Sequence, residues 1–322
     1  FPSNLRSLTL GAEFNQSLEH VNLPDSLESL AFGEKFNQGL ESVSFPSTLR
    51  SLTLGAEFNQ SLEHVNLPDS LESLTFGEKF NQDLQHVSFP SGLQHLMFGA
   101  QFNQSLQNVN LPDSLQSLTL GDGFTQNLVE MSWPQSLQNL TFGAQFNQSL
   151  QRITFSRSIQ FFAFDERWRE SLEHVALPNT LEELTLGAQF NQNLEGVCWP
   201  QSLRTLTFGE HFNRRLDYVD LPSSLCTLTF GAEFNQSLER VTLPKKLESL
   251  TLGRMFNQGL DSVSFPSTLR SLTLGAEFNQ SLERVNLPDS LESLTFGEKF
   301  NQVLESVSFP STLRSLTFGA EF

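Results

Sequence analysis

Apolar residues recur along this chain with a spacing that a helix cannot produce. Counted from each proline as position 1, they occupy positions 4, 7, 9, 13, 17, 20 and 22, as in residues 46–67. A helix needs an unbroken i, i+3, i+4 pattern, and Pro at position 1 and Gly at position 10 interrupt every such run. Two short alternating segments remain, LxL at positions 7 to 9 and VxL at positions 20 to 22. Each predicts a short strand with alternate side chains inward.

The same unit repeats through the whole sequence. Every gap between the fourteen prolines is 22 residues, except one gap of 44 in which Ser156 occupies the proline position. The chain therefore holds fourteen units of 22 residues that begin at Pro2, and a partial unit at 310–322. This period is typical of solenoids, in which equivalent residues of successive coils become neighbours.

The period predicts one repeat domain over residues 1–322. We expect a β-rich solenoid with two short parallel strands per coil and little or no α-helix. The first residues already lie within the repeat pattern, so we also expect the sequence to be an excerpt of a longer chain.

Two columns of the predicted solenoid have structural roles. Position 13 is aromatic in every unit and predicts a stack of rings that begins with Phe14, Phe36, Phe58 and Phe80. Position 14 is an amide column that begins with Asn15, Asn37, Asn59 and Asn81. At a bend, these amides can bond backbone groups that the turn leaves unpaired, and can bond each other along the stack.

The pattern LxxVxLPxxLxxLxLGxxFNQ resembles the FNIP repeat and its relative, the BspA-like leucine-rich repeat, over the whole chain. The resemblance implies a coil in which one strand lines the concave side and contacts ligands. We assign that role to VxL, although LxL fits the same pattern. The usual Asn of leucine-rich repeats is kept at position 3 only by Asn4 and is mostly Ser or Thr in the other units, for example Ser26 and Thr48. The resemblance implies an interaction scaffold rather than a catalyst.

Charge and cysteine usage narrow the function classes. The formal net charge of −17 disfavours nucleic acid as a partner. No apolar run approaches the roughly 20 residues that span a bilayer, so membrane insertion is not expected. Cys198 and Cys226 occupy different positions of different units, which indicates neither a disulfide nor a thiolate metal site. No catalytic motif is present, so we expect no enzyme activity, catalytic residue, cofactor or metal.

Two further columns of the predicted solenoid consist largely of charged residues. Position 5 alternates between Arg and Glu, as in Arg6, Glu28, Arg50 and Glu72, which places opposite charges on neighbouring coils. Position 18 instead carries runs of acidic residues, for example Glu19 and Glu41. These could form a stripe for a basic partner or Ca²⁺, or a solvated edge, and we favour the solvated edge.

Outward positions 19 and 21 lose their regularity in the middle of the chain while the core pattern persists. Residues at such positions could determine which partner a solenoid binds. Neutral drift on a solvated face would produce the same variation. The candidate binding residues on this predicted concave patch are Glu130, Arg152, His174, Tyr218, Asp220 and Arg240. We favour neutral drift, but Arg and Tyr are frequent interface anchors, so a binding site on this solenoid is expected at this patch.

The unit at 156–177 departs from the repeat at its Pro, Gly, Asn and Gln positions. Arg167, Trp168 and Arg169 could form a contact site there, or the unit could be an eroded copy tolerated within the stack, which we favour.

The sequence thus predicts a non-enzymatic scaffold for protein–protein interaction or structural assembly, with a protein partner or self-association. One alternative is a filament that assembles end to end. Another is an ice- or crystal-surface-binding solenoid, since position 8 is Thr in twelve of fifteen units.

Overall fold

The computed structural model describes residues 1–322 and contains no helix, and hence no helical segment that could cross a membrane. The chain forms two compact units, one of residues 1–148 and 152–165, the other of residues 149–151 and 166–322. Each unit is a parallel β-solenoid with one short strand in every 22-residue coil. The predicted helix-free solenoid is confirmed, whereas the single repeat domain stays a prediction.

The strands of each unit pair in chain order, and every pair is parallel. The first unit contains β1 (Ser7–Thr9), β2 (Ser29–Ala31), β3 (Ser51–Thr53), β4 (Ser73–Thr75), β5 (His95–Met97), β6 (Ser117–Thr119), β7 (Asn139–Phe142) and β8 (Phe161–Phe164). The second unit contains β9 (Glu183–Thr185), β10 (Thr205–Thr207), β11 (Thr227–Thr229), β12 (Ser249–Thr251), β13 (Ser271–Thr273), β14 (Ser293–Thr295) and β15 (Ser315–Thr317). Paired residues are one repeat apart, as Leu52 with Leu74.

The strand forms at positions 6 to 8 because backbone groups there bond both neighbouring coils. The Ser51 N–H donates to the Glu28 carbonyl of the preceding coil at 3.0 Å. The Leu54 N–H donates to the Thr75 carbonyl of the next coil at 2.9 Å. Leu52 is buried between the half-buried Ser51 and Thr53, so alternate side chains enter the core.

The prediction of a second strand at positions 20 to 22 is wrong. In the coil at 46–67, the Val65 N–H donates to the Leu62 carbonyl at 3.1 Å, and the Leu67 N–H donates to the Val65 carbonyl at 3.2 Å. Pro68 follows and has no N–H. Because these donors bond within their own coil or are absent, VxL cannot join a ladder between coils. Its contribution is to packing, with Val65 buried in the core.

The aromatic column runs through the core. In the first unit, Phe36, Phe58 and Phe80 are fully buried, with successive ring centroids 6.1 and 6.2 Å apart. Phe14 is half-buried and stacks on Phe36 at 6.1 Å. In the second unit the column includes Trp168, which stacks on Phe190 at 5.4 Å. Rings in this offset geometry add to the apolar burial of each coil.

Polar side chains at the bends bond the backbone of neighbouring coils. The Asn59 Oδ1 accepts the Asn81 N–H at 2.9 Å and the Gln82 Nε2 at 3.1 Å. Asn15, Asn37 and Asn81 accept the corresponding N–H of the next coil. At position 3, the Ser70 hydroxyl donates to the Leu49 carbonyl at 2.7 Å. These bonds satisfy backbone groups that the turns would otherwise leave unpaired.

The irregular segment keeps the coil geometry in the first unit. Asp165 stands at the usual glycine position, and β7 and β8 are each one residue longer, with Phe142 paired to Phe164. Their rings stack at 4.8 Å. Ser158 still donates to the Leu137 carbonyl at 2.9 Å. The altered residues are therefore accommodated by packing and a longer ladder.

Candidate functional site

Positions 17 to 20 of each coil form a tight turn, and position 19 lies within it. In the coil at 200–221, for example, the Val219 N–H donates to the Leu216 carbonyl at 3.1 Å. The prediction that the six candidate binding residues lie on a strand is therefore wrong. Five lie at position 19 in such turns, and Asp220 lies at position 21 after one. All six are exposed.

Three candidate residues have a left-handed backbone. Glu130, Arg152 and His174 have φ of 66°, 69° and 63° at position 19, where Asn108 and Gly196 share the conformation at 63° and 80°. A positive φ at the third residue is typical of a type II turn, whose central peptide is flipped relative to type I. Bulky residues are uncommon in this region.

Glutamine at position 18 supports the flipped peptide of the following coil. The Gln107 Nε2 donates to the Val129 carbonyl at 3.0 Å, and the Gln151 Nε2 donates to the Glu173 carbonyl at 3.2 Å. A Glu carboxylate, the common residue at position 18, could only accept and would repel that carbonyl. The turn type at position 19 thus depends partly on the preceding coil.

Tyr218 and Arg240 line the same pocket in the second unit. The cavity has a volume of about 410 Å³ and spans three successive coils. Its lining residues are Asn193, Glu195, Arg214, Arg215, Asp217, Tyr218, Val219 and Arg240. Tyr218 is the only tyrosine of the chain, and 76% of it is exposed. Asp220 lies outside the lining.

Two arginines beside Tyr218 replace the Gln and Ser of other coils. Arg214 stands at position 15, and its Nε donates to the Asn191 carbonyl at 2.7 Å, a backbone bond that Gln makes elsewhere. Arg215 stands at position 16, where Ser usually accepts the N–H of position 18. Its Nη2 instead pairs with the Asp217 Oδ2 at 2.9 Å. The Asp217 side chain is only 9% exposed.

Sequence reasoning missed Arg214 and Arg215, because only positions 19 and 21 were considered as outward surface. The sequence feature that could have revealed them is the segment FNRRLD, which stands where other coils have FNQSLE. The remaining candidates, Glu130, Arg152 and His174, do not line this pocket.

The interpretation of Trp168 as a contact residue conflicts with its burial. Its side chain is 1% exposed and stacks in the core, because it occupies the aromatic position 13. Arg167 and Arg169 on either side are exposed.

Ion pairs between neighbouring coils form at positions 5 and 12. Arg6 pairs with Glu28 at 3.0 Å and Arg270 pairs with Glu292 at 2.6 Å, as the alternation at position 5 predicts. At position 12, Lys299 pairs with Glu277 at 2.5 Å, and this hydrogen bond and charge raise the pKa of Lys299 above 10.5. Most of these side chains are well exposed, so each pair contributes little to stability.

A profile of the FNIP repeat matches residues 1–35, 36–79, 80–123, 102–145, 190–233, 234–277 and 278–321. The chain belongs to the FNIP repeat family. The matched segments leave out 146–189, which contains the irregular unit, whereas the Tyr218 pocket lies within FNIP repeats.

Solved structures similar to this FNIP repeat chain are leucine-rich repeat proteins. The circular leucine-rich repeat protein CroV588 is 35% identical, with a TM-score of 0.84 over 99% of this chain. The chain covers 54% of that protein, about half its length. The internalin InlF from Listeria monocytogenes is 16% identical, with a TM-score of 0.58 over 91% of this chain and 87% of its own, and shows the fold alone. The search of curated proteins found no match.

Proposed function

We propose that this FNIP repeat chain is a non-enzymatic scaffold that binds a protein partner through the turn surface around Tyr218. The observation that carries the proposal is an exposed, unique tyrosine beside arginines from two coils, at positions that the solenoid does not need for packing. Tyr and Arg are enriched among the residues that dominate binding energy at protein interfaces. The leucine-rich-repeat-like fold is consistent with such a role.

The turn surface replaces the concave strand face as the proposed contact area. Val219 is buried beneath the pocket, and Glu195, Arg214 and Arg240 surround Tyr218 from three coils. An apolar base with a polar border is the usual anatomy of an interface centre. The turn surface around Tyr218 therefore offers both an aromatic anchor and a polar rim. Most coils with the regular repeat sequence lack this combination.

Site-specific photo-cross-linking tests the proposal. A photoreactive benzoylphenylalanine at position 218 should give a protein adduct in an extract of the native source. The same residue at position 284, which lies at the same turn position of another coil, should not. Mass spectrometry identifies the adduct, and an adduct between two copies of the chain would make the partner a second copy. Equal adducts at both positions, or none at 218, would contradict the proposal.

A second candidate function, ice- or crystal-surface binding, is favoured by the sheet face of the second unit. Strands β10 to β15 carry Ser or Thr at both outward positions, and the strands are in register. Two columns of hydroxyls with a spacing of about 4.8 Å result. Thermal hysteresis of the purified chain, lost when Thr229, Thr251 and Thr273 are replaced by Lys, would support this function, and no hysteresis would exclude it.

A further inference from the structure

We infer that the Tyr218 pocket selects an acidic segment of its protein partner, with carboxylates held by Arg214 and Arg240 and an apolar side chain packed on Tyr218. The inference rests on the proposed scaffold function and adds the chemical class of the partner to it.

The charge of the pocket is opposite to that of the chain. Its lining contains three arginines and two acidic residues, a net charge of 3 − 2 = +1, on a chain of net charge −17. A local positive site on an acidic surface attracts a negatively charged group and orients it there, while the rest of the surface repels it.

Two of the three guanidinium groups remain available to a ligand. Arg215 is neutralised by Asp217, whose shielded carboxylate is itself occupied by this pair. Arg214 uses its Nε for the Asn191 carbonyl and keeps both terminal nitrogens for another acceptor. Arg240 is exposed and makes no ion pair within the chain. Guanidinium groups bind carboxylates through two parallel hydrogen bonds, which gives such contacts a defined geometry.

The pocket also has an apolar component. The Tyr218 ring is largely exposed, and the buried Val219 lies beneath it. A volume of about 410 Å³ accommodates one or two side chains of a peptide segment. A partner that places a Leu, Met or aromatic residue next to Asp or Glu would fit both components.

Other polyanions fit less well. Two available arginines cannot neutralise the row of phosphates that nucleic acid binding requires, and the chain charge of −17 opposes it. Glu195 on the rim would also repel a dense polyanion, whereas a peptide can place its carboxylates away from it.

Selection from a displayed library of random dodecapeptides tests the partner class. The full chain is compared with Arg240→Glu and with the matched control Arg284→Glu. Arg284 has the same turn position, but its coil keeps Gln280 and Ser281 at positions 15 and 16. Circular dichroism confirms that each variant is folded. We expect peptides selected by the unmodified chain to be enriched in Asp and Glu at least about twofold over the input, because of charge complementarity.

The affinity of a selected peptide then locates the site. We expect Arg240→Glu to weaken binding at least about tenfold and Arg284→Glu less than about twofold. Tyr218→Ala should weaken it about tenfold, whereas Tyr218→Phe should retain most of the affinity. Binding should also weaken when the salt concentration rises from about 50 to about 300 mM, since the contacts are exposed.

The outcomes separate the two proposals. Selected peptides that are neutral or basic, or an affinity that is equally lost in Arg284→Glu, would overturn the acidic partner and leave the scaffold in place. Displacement of the peptide by millimolar inorganic phosphate would show a small-anion site and also overturn it. No selected peptide, together with no adduct at position 218, would overturn the scaffold function itself.

Discussion

Glycine at position 10 lets successive regular coils lie close together, and only the irregular unit has another residue there, Asp165. A Cβ atom built on Gly231 would lie 1.8 Å from the carbonyl oxygen of Gly209 in the preceding coil. The contact is with backbone, which cannot move without disturbing the hydrogen bonds of both coils. The glycine column therefore permits the close approach of successive backbones.

We expect Gly231→Ala to lower the free energy of unfolding by about 3 kcal/mol or more, because two coils must separate locally. The midpoint of urea unfolding, followed by circular dichroism, measures the change. Gly259→Ala is the control, because the nearest atom to its Cβ would be 3.8 Å away. A similar midpoint for both variants would show that the column is not sterically required.

At the left-handed residues of position 19, by contrast, we expect a substitution to raise the free energy of unfolding. Glu130 has φ of 66°, a conformation that is unfavourable by roughly 1–2 kcal/mol for a residue with a Cβ. Glycine adopts it freely but loses more entropy on folding. We expect Glu130→Gly to stabilise the fold by about 0.5–1 kcal/mol.

Arg284→Gly is the matched control at the same turn position, where φ is not positive. It should destabilise the fold by about 0.4–1 kcal/mol, since glycine there only adds freedom to the unfolded chain. Unfolding midpoints in guanidinium chloride compare the two variants. If Glu130→Gly also destabilised the fold, the positive φ would not be a source of strain.

At the scale of elements, side chains of one column connect consecutive coils. Lys299 donates a hydrogen bond to Glu277 of the preceding coil, and this contact raises the pKa of Lys299 above 10.5. A raised lysine pKa means that the stabilising contribution is fully present below pH 10.5. It is lost as the pH rises through the higher pKa of the folded state.

We expect a ¹³C NMR titration of the Lys299 side chain to have its midpoint above pH 10.5. In Glu277→Gln the midpoint should move down, because the charged acceptor is gone. The direction is the test, since the pair is exposed and its energy is small. A midpoint that does not respond to Glu277→Gln would mean that the ion pair does not form in solution.

At the scale of the molecule, the 22-residue coil is the unit of assembly. Within the second unit, β12, β13 and β14 pair through the same Ser-Leu-Thr residues, so the ladder can close after one coil is removed, although the Arg270–Glu292 ion pair is lost with that coil. We expect deletion of residues 266–287 to leave a folded solenoid, because β12 can pair with β14 in the same register.

The control is a deletion of residues 266–276, which removes β13 but only half of its coil. It should lower the unfolding midpoint strongly, because the remaining half coil has no strand to join the ladder. Far-UV circular dichroism and guanidinium unfolding measure both. If the two deletions gave equal midpoints, the coil would not be the cooperative unit.

The candidate site was partly predictable. Tyr218 and Arg240 could be found because they lie at an outward position whose residue varies between coils, whereas Arg214 and Arg215 lie at positions that serve the bend in other coils. That these four residues border one cavity depends on where three successive turns lie in space, which no spacing in the sequence reports.

The sequence by itself determined the coil, its length and the side chains that enter the core. A fixed period leaves Phe58 no equivalent neighbours except Phe36 and Phe80, so the columns follow from the repeat. Only the tertiary structure decided which alternating segment became the strand. LxL and VxL have the same pattern of apolar residues, but the Val65 and Leu67 N–H groups bond within their own coil. Backbone hydrogen bonding, which the pattern of apolar residues does not report, distinguished the two.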